Sequence, residues 1–220
     1  MGLFEALERG PATLEELTSR VAVPQRTTGI VAAALVSLKL IEEEGGRYRN
    51  SEVAATFLAG KPGLDLRPLL RSQDNIGYPL WTRFSEAVRA GRAEPQFGKF
   101  DHVQQQLFST GVEAFTAPIA AALGATYDFS PHRRLLDVGG GTGSFLLAVL
   151  RQYPALEGTL FELPGACAVA RQRISQELEK ARIDIVEGDV FKAPLPGDHD
   201  VLLLANIVHV LSASQNLELS

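Results

Sequence analysis

Leu135-Leu136-Asp137-Val138-Gly139-Gly140-Gly141-Thr142-Gly143 is the stretch on which the fold turns. Four residues of strand-like character run into a glycine loop, and Phe145 to Leu150 beyond it carry apolar residues in a helical pattern. Glycines in such a loop let the backbone turn sharply and approach a ligand closely, while the N–H groups at the helix start face a negative group. A nicotinamide or flavin site would read G-x-G-x-x-G. Counting from Gly139 the third glycine position is Ser144, and counting from Gly141 it is Leu146, so that fingerprint is not met.

Outward from this stretch the period keeps alternating. Thr159-Leu160-Phe161 reads as a second strand, Ala166 to Lys180 as a second helix, and Ile183 to Val186 and Val201 to Leu204 as two further strands. Strand and helix in alternation predict an α/β domain with a Rossmann-like, doubly wound parallel sheet. Ser212-Ala213-Ser214-Gln215 is a capping box that opens a helix shortly before Ser220. Such a sheet normally continues, so it reads as incomplete, with the strand at Val201 to Leu204 uncovered on one side.

Two acidic positions fall where strands of this sheet end. Glu162 closes the second strand, where a carboxylate can accept from both hydroxyls of a ribose; its ordinary reading is a solvated loop charge. Gly188-Asp189-Val190-Phe191 follows the third strand, where Asp189 could accept from an adenine amino group and Phe191 could pack on or beside the ring. The glycine loop, Glu162 and Asp189 lie in order on one edge of one sheet.

The N-terminal region differs. Met1 to Arg9 reads as an acidic amphipathic helix start, Thr13-Leu14-Glu15-Glu16 as a reciprocal cap opening a helix that ends near Arg20, and Pro24 to Lys39 as a third helix. Ile41 to Tyr48, with Gly45-Gly46 between two short segments, reads as a hairpin, which makes the whole a winged helix-turn-helix. Residues 30 to 38 are apolar on more than one face, which suits burial against a partner and not a DNA groove. Residues 51 to 60 form another short helix, and the pattern is then helical to about Tyr127, with Gly91 as a C-cap and Gly111 as a bend. Trp81, Phe84, Phe97, Phe100, Phe108 and Phe115 lie in this segment, as core or as the lining of an apolar pocket. Three regions follow: 1–62, a mainly α winged-helix domain; 63–130, a helical linker and candidate pocket region; 131–220, the Rossmann-like domain.

Composition narrows the function classes. With 45% hydrophobic and 21% charged residues among 220, the chain has a globular and not a disordered composition. A net charge of -5 with scattered basic residues gives no electrostatic footprint for nucleic acid. Val201 to Leu211 is about half the roughly 20 residues of a membrane span, and no basic-then-apolar leader opens the chain, so a cytosolic protein without a membrane partner is expected. Cys167, the single cysteine, reads as a buried apolar thiol, and no metal-ligand set is apparent. His102, His132 and His199 read as surface residues.

Leu135 to Gly143, Phe161-Glu162-Leu163-Pro164, Gly188-Asp189-Val190-Phe191 and Asn206-Ile207-Val208-His209 resemble the successive motifs of plant and bacterial small-molecule O-methyltransferases of the caffeate and polyketide type. The acidic-x-G-x-G-x-G spacing is similar to that of class I methyltransferases, and the winged helix fits as well. The resemblance implies S-adenosyl-L-methionine as cofactor, held at Gly139, Gly141, Glu162, Asp189, Val190 and Phe191. It also implies homodimerisation through the N-terminal domain and a small-molecule acceptor whose hydroxyl, on an aromatic or polyketide-like skeleton, is methylated with His209 as general base. The sequence departs from the family at His209-Val210-Leu211, where relatives usually read His-Asp-Trp, and at Ala205, where several carry lysine; the carboxylates that orient the histidine would fall beyond Ser220. Two other readings stay open: a cofactor-binding family member with C-methylation or non-methylating chemistry, and a non-catalytic winged-helix dimerisation or regulatory fragment.

Overall fold

The computed structural model describes residues 1–91 and 98–219. They divide into two units, Met1–Arg67 and Pro68–Ser220.

In the first unit, α1 (Leu3–Leu7), α2 (Leu14–Val21) and α3 (Gln25–Ser37) are accompanied by β1 (Ala12–Thr13), β2 (Ile41–Glu44) and β3 (Arg47–Asn50), with α4 (Glu52–Phe57) after the wing. The reciprocal cap forms: Glu16 N donates to Thr13 Oγ1 at 3.2 Å and Thr13 N to Glu16 Oε2 at 2.8 Å. Gly45 and Gly46, both at positive φ, turn the hairpin. β1 adds an edge that the hairpin pattern did not announce, giving the antiparallel order β1-β3-β2. Leu3, Leu7, Leu17, Ala32 and Ile41 form the buried core. Arg20 extends across it to donate to the carbonyls of Ala6 and Gly10, satisfying acceptors where α1 ends. Ile30 on α3 stays 58% exposed, so the apolar character of that helix is not all spent inside the unit.

The second unit begins with helices: α5 (Arg67–Ser72) enters it, a π-turn follows at Gln73–Gly77, then come α6 (Tyr78–Trp81), α7 (Phe84–Ala90) and the long α8 (His102–Thr126). Gly91 closes α7 in the left-handed conformation. Gly111 makes no bend; α8 is continuous through it. The residue is glycine because α5 passes there, and a Cβ would lie 2.5 Å from Ser72 Cβ. By length and composition α8 could cross a membrane. Here it lies along α9 (Ser144–Gln152) and α10 (Pro164–Ile174), with Ser109, Thr116, Ala120 and Gly124 buried.

The sheet comprises β4 (Arg134–Val138), β5 (Glu157–Glu162), β6 (Ile183–Glu187) and β7 (Val201–Leu203), in the order β6-β5-β4-β7 and parallel throughout. This is the Rossmann-like α/β arrangement read from the sequence. Leu135 and Leu160 point to the face covered by α9 and α10, where Leu146, Leu147, Leu150 and Ile174 complete the main core. Leu136, Val138 and Phe161 point to the other face, covered by Val190, Ala193, Leu195 and Ile207. Both faces being covered explains the continuous apolar runs. β7 is an edge strand, with Leu202 53% exposed. α11 (Ala213–Leu219) starts at the Ser212–Gln215 capping box.

Three readings change. The second sheet helix stops at Ile174, and a 3-10 turn at Leu178–Arg182 replaces its last turns. Arg182 donates there to the carbonyls of Leu150, Tyr153 and Leu156, tying the turn to the end of α9. His199 is half-buried, its Nε2 2.8 Å from Thr159 Oγ1, because the loop before β7 folds over the sheet face where Thr159 is buried. His132 stacks on Tyr127, with Nε2 2.8 Å from the phenol oxygen. Cys167 is buried as expected, and desolvation pushes its thiol up to about 11.

Gly111→Ala tests the helix approach. Helix propensity alone favours alanine by about 1 kcal/mol, whereas overpacking against Ser72 should destabilise by about 1–3 kcal/mol. A lowered urea midpoint, partly restored by adding Ser72→Gly, is the expected result.

Candidate functional site

The parallel ladder does not stop where the strands do. Gly139 N donates to Phe161 O at 2.8 Å and Gly188 N to Glu162 O at 2.9 Å, so the glycine loop, Glu162 and the start of Gly188-Asp189-Val190-Phe191 are set side by side along the carboxyl ends of β4, β5 and β6. Ligands bind at that edge of open α/β sheets. Gly139 and Gly141 have φ of 68° and 59°, a region side chains avoid, and a Cβ on Gly139 would stand 2.8 Å from Ile207 Cδ1. A Cβ on Gly140 would strike the Asp137 carboxylate and Leu160, so the loop lies directly on the groups beneath it.

Glu162 reaches back to this loop. Its Oε2 accepts from Gly141 N at 3.0 Å and its Oε1 from Leu163 N at 2.6 Å. Desolvation raises its pKa, and these two backbone donors pull it part of the way back. Each carboxylate oxygen keeps a lone pair for a further donor. Asp137, under the loop, is fully buried and neither of its oxygens has a hydrogen-bond partner among the described residues. Burial first, then the neighbouring Glu162 carboxylate, pushes Asp137 up to about 7; the Leu146 amide, short of hydrogen-bond geometry, acts the other way.

Asp189 sits in a loop turn, Oδ1 accepting from Phe191 N at 3.0 Å and Oδ2 2.5 Å from Lys192 Nζ. Lys192 first, then the Phe191 amide, lowers its pKa. Val190 packs against the core patch of Leu136, Val138 and Phe161, while Phe191 is half-buried. A cleft of about 500 Å³ opens beside Asp189, between Phe100 and Gln105 at the start of α8 and Leu163, Pro164 and Gly165 at the start of α10. His209 is exposed in a 3-10 turn, Val208–Val210, that Asn216 of α11 ties by donating to Val208 O at 3.0 Å. Ile207, two residues before it, is the side chain against Gly139.

Of the aromatic residues, Trp81 and Phe84 form one pair with centroids 5.2 Å apart, Phe100 and Phe108 another at 5.3 Å, and Phe115 is exposed. Phe97 lies outside the described residues. Asp137 as a buried unpaired acid, Lys192 as the partner of Asp189, and Gln105 as a wall of the cleft were not singled out from the sequence. The three-residue spacing of Asp189 and Lys192 was a signal for that pair; Gln105 had none.

A strand, a glycine loop and a carboxylate at the next strand end make a candidate binding edge of Rossmann-like form. The chain belongs to the O-methyltransferase family: the O-methyltransferase domain model matches residues 81–219 and the O-methyltransferase dimerisation domain model residues 1–60. It is 38% identical over 223 residues to the 3-hydroxy-5-methyl-1-naphthoate 3-O-methyltransferase of Streptomyces sahachiroi, covering 98% of this chain and 64% of that relative. The structure of human N-acetylserotonin methyltransferase in complex with SAM superposes with a TM-score of 0.85 at 26% identity, over 99% of this chain and 67% of that one. PigF with SAH gives 0.80 at 31%, over 91% and 63%. The chain thus spans roughly two-thirds of the length of these relatives.

The family's cofactor, S-adenosylmethionine, suits the charges present. Its sulfonium and ammonium are cations, and the strand ends carry the Glu162 and Asp189 carboxylates.

Because Asp137 titrates near 7 when folded and about 3.9 when unfolded, the native state holds the extra proton between those values. Its contribution to stability is full below about pH 4 and is lost as pH rises through about 7. Urea unfolding at several pH values should show that decline in the unmodified chain and a flatter profile in Asp137→Asn.

Proposed function

We propose that the protein transfers a methyl group from S-adenosyl-L-methionine to a hydroxyl of an aromatic or polyketide-like small molecule, with His209 as general base. The observation that carries this reading is the grouping of the Gly139–Gly143 loop, Glu162 and Asp189 along one sheet edge. Glu162 keeps free lone pairs for a ribose diol, and Gly141, with open space above it, leaves room for the amino-acid end of the cofactor. Asp189 and the half-buried Phe191, with Val190 packed on the core beside them, are the groups that would meet the purine. Relatives named as O-methyltransferases support the reaction class.

The bound cofactor supplies an electrophilic methyl on a sulfonium, displaced in line. A phenol, with a pKa near 10, attacks well only as its proton leaves, and a neutral imidazole can take that proton. Ile207 against Gly139 brings the His209 turn beside the glycine loop, which supports this role. A cytosolic homodimer joined through the N-terminal unit is part of the same proposal. Its support is the match to the dimerisation domain and the exposed apolar side chains Ile30, Leu38 and Val53.

Thermal unfolding with S-adenosylhomocysteine tests the cofactor site. Ligand at about 100 times its Kd should add roughly 2.7 kcal/mol to stability. Glu162→Gln should weaken binding about 10- to 100-fold, the worth of hydrogen bonds to a charged acceptor; an unmoved transition in the unmodified chain would refute the reading.

His209→Ala should lower kcat for a phenolic acceptor by about 10²–10⁴-fold while leaving the Kd for S-adenosylhomocysteine unchanged. Undiminished turnover would remove the base and leave positioning as the source of rate.

A further inference from the structure

The cleft beside Asp189 has a second polar wall. Gln105, in the first turn of α8, lines it together with Asp189 and Lys192 of the loop after β6, and its Oε1 lies 3.5 Å from where a Cβ of Gly165 would be, so the amide rests against the first turn of α10. Its nitrogen is engaged: Nε2 donates to Oγ of the buried Ser109 at 3.0 Å. That bond fixes the amide, and Oε1 has no hydrogen-bond donor among the described residues. The ion pair of Arg173 on α10 with Glu113 on α8, at 3.0 Å, ties the two helices.

Asp189, on the same cleft, already serves Phe191 N and Lys192 Nζ. An exocyclic amino group on a purine carries two N–H donors. One acceptor from Asp189 and one from Gln105 would satisfy both. A 6-oxo purine in the same place would set its own carbonyl oxygen against a carboxylate and an amide oxygen.

We propose that Gln105 is a specificity-determining residue for the nucleoside, its Oε1 accepting the second N–H of a 6-amino purine so that the cleft takes adenine and refuses a 6-oxo purine. This rests on the cofactor reading above and adds to it a residue from the helical segment ahead of the sheet.

The test is isothermal titration of the full chain with S-adenosylhomocysteine and with its deaminated analogue, S-inosylhomocysteine. The unmodified chain should prefer the amino form by tenfold or more, because the oxo form sets an acceptor against two acceptors and leaves both unpaired. Gln105→Leu, close in volume and without an acceptor, should weaken S-adenosylhomocysteine roughly three- to tenfold, the worth of one neutral hydrogen bond, with little change for the inosyl form. Gln105→Glu, which keeps an acceptor, should retain the preference for the amino form, a rescue that a merely structural role would not give. If Gln105→Leu keeps the same ratio between the two ligands, the inference about Gln105 is wrong while the cofactor site stands. If the unmodified chain binds neither ligand, both fail.

Discussion

Everything proposed for this protein depends on the parallel register of β4, β5 and β6. Parallel strands with matched pairing end at one level, and here the hydrogen bonds continue one residue beyond each pair, from Gly139 to Phe161 and from Gly188 to Glu162. A slip of one residue in either pairing would exchange the two faces of a strand and send Leu160 and Phe161 to the wrong cores. The same apolar packing that fixes the register therefore fixes the separation of the glycine loop, the Glu162 carboxylate and the Asp189 turn.

Electrostatics works against that packing at one point. Asp137 lies on a central strand of the sheet between two apolar cores, with the Glu162 carboxylate as a neighbour and no hydrogen-bond partner for its own carboxyl among the described residues. Burying a polar group without a partner costs about 1–3 kcal/mol on mutational scales. The protein answers partly by keeping the group protonated through much of the acid range, and Glu162 next to it is held by two backbone N–H groups instead of by a cation. The two neighbouring acids are thus treated differently, one neutralised by a proton and the other solvated by the chain itself.

Much of the fold was legible because its signals are local. Alternating strand and helix periods, the Thr13 and Ser212 caps, the Gly45-Gly46 turn and the Gly91 C-cap are each written within a few residues. The failures are non-local. Gly111 reads as a bend until α5 is known to pass over it, and His199 reads as surface until the loop before β7 folds onto Thr159. The end of α10 is set by Arg182 reaching carbonyls some thirty residues earlier. At the site, the placement of Glu162 and Asp189 at strand ends follows from strand periodicity, but nothing near Gln105 announces a cleft, because its other wall comes from α10 and the loop after β6.

Gly188 has a bearing on how such a protein can be altered in the laboratory. A Cβ there would collide with the ring of Phe161, which is itself fully buried on the sheet face that Leu136, Val138 and Val190 share. Gly140 likewise has the Asp137 carboxylate and Leu160 directly beneath it. Libraries that randomise these two positions to reshape ligand preference would mostly return misfolded chains, since each added atom displaces core before it meets ligand. Directed evolution has more freedom on the α8 side of the cleft, where Gln105 is only half-buried and a change of side chain alters the wall without moving the sheet.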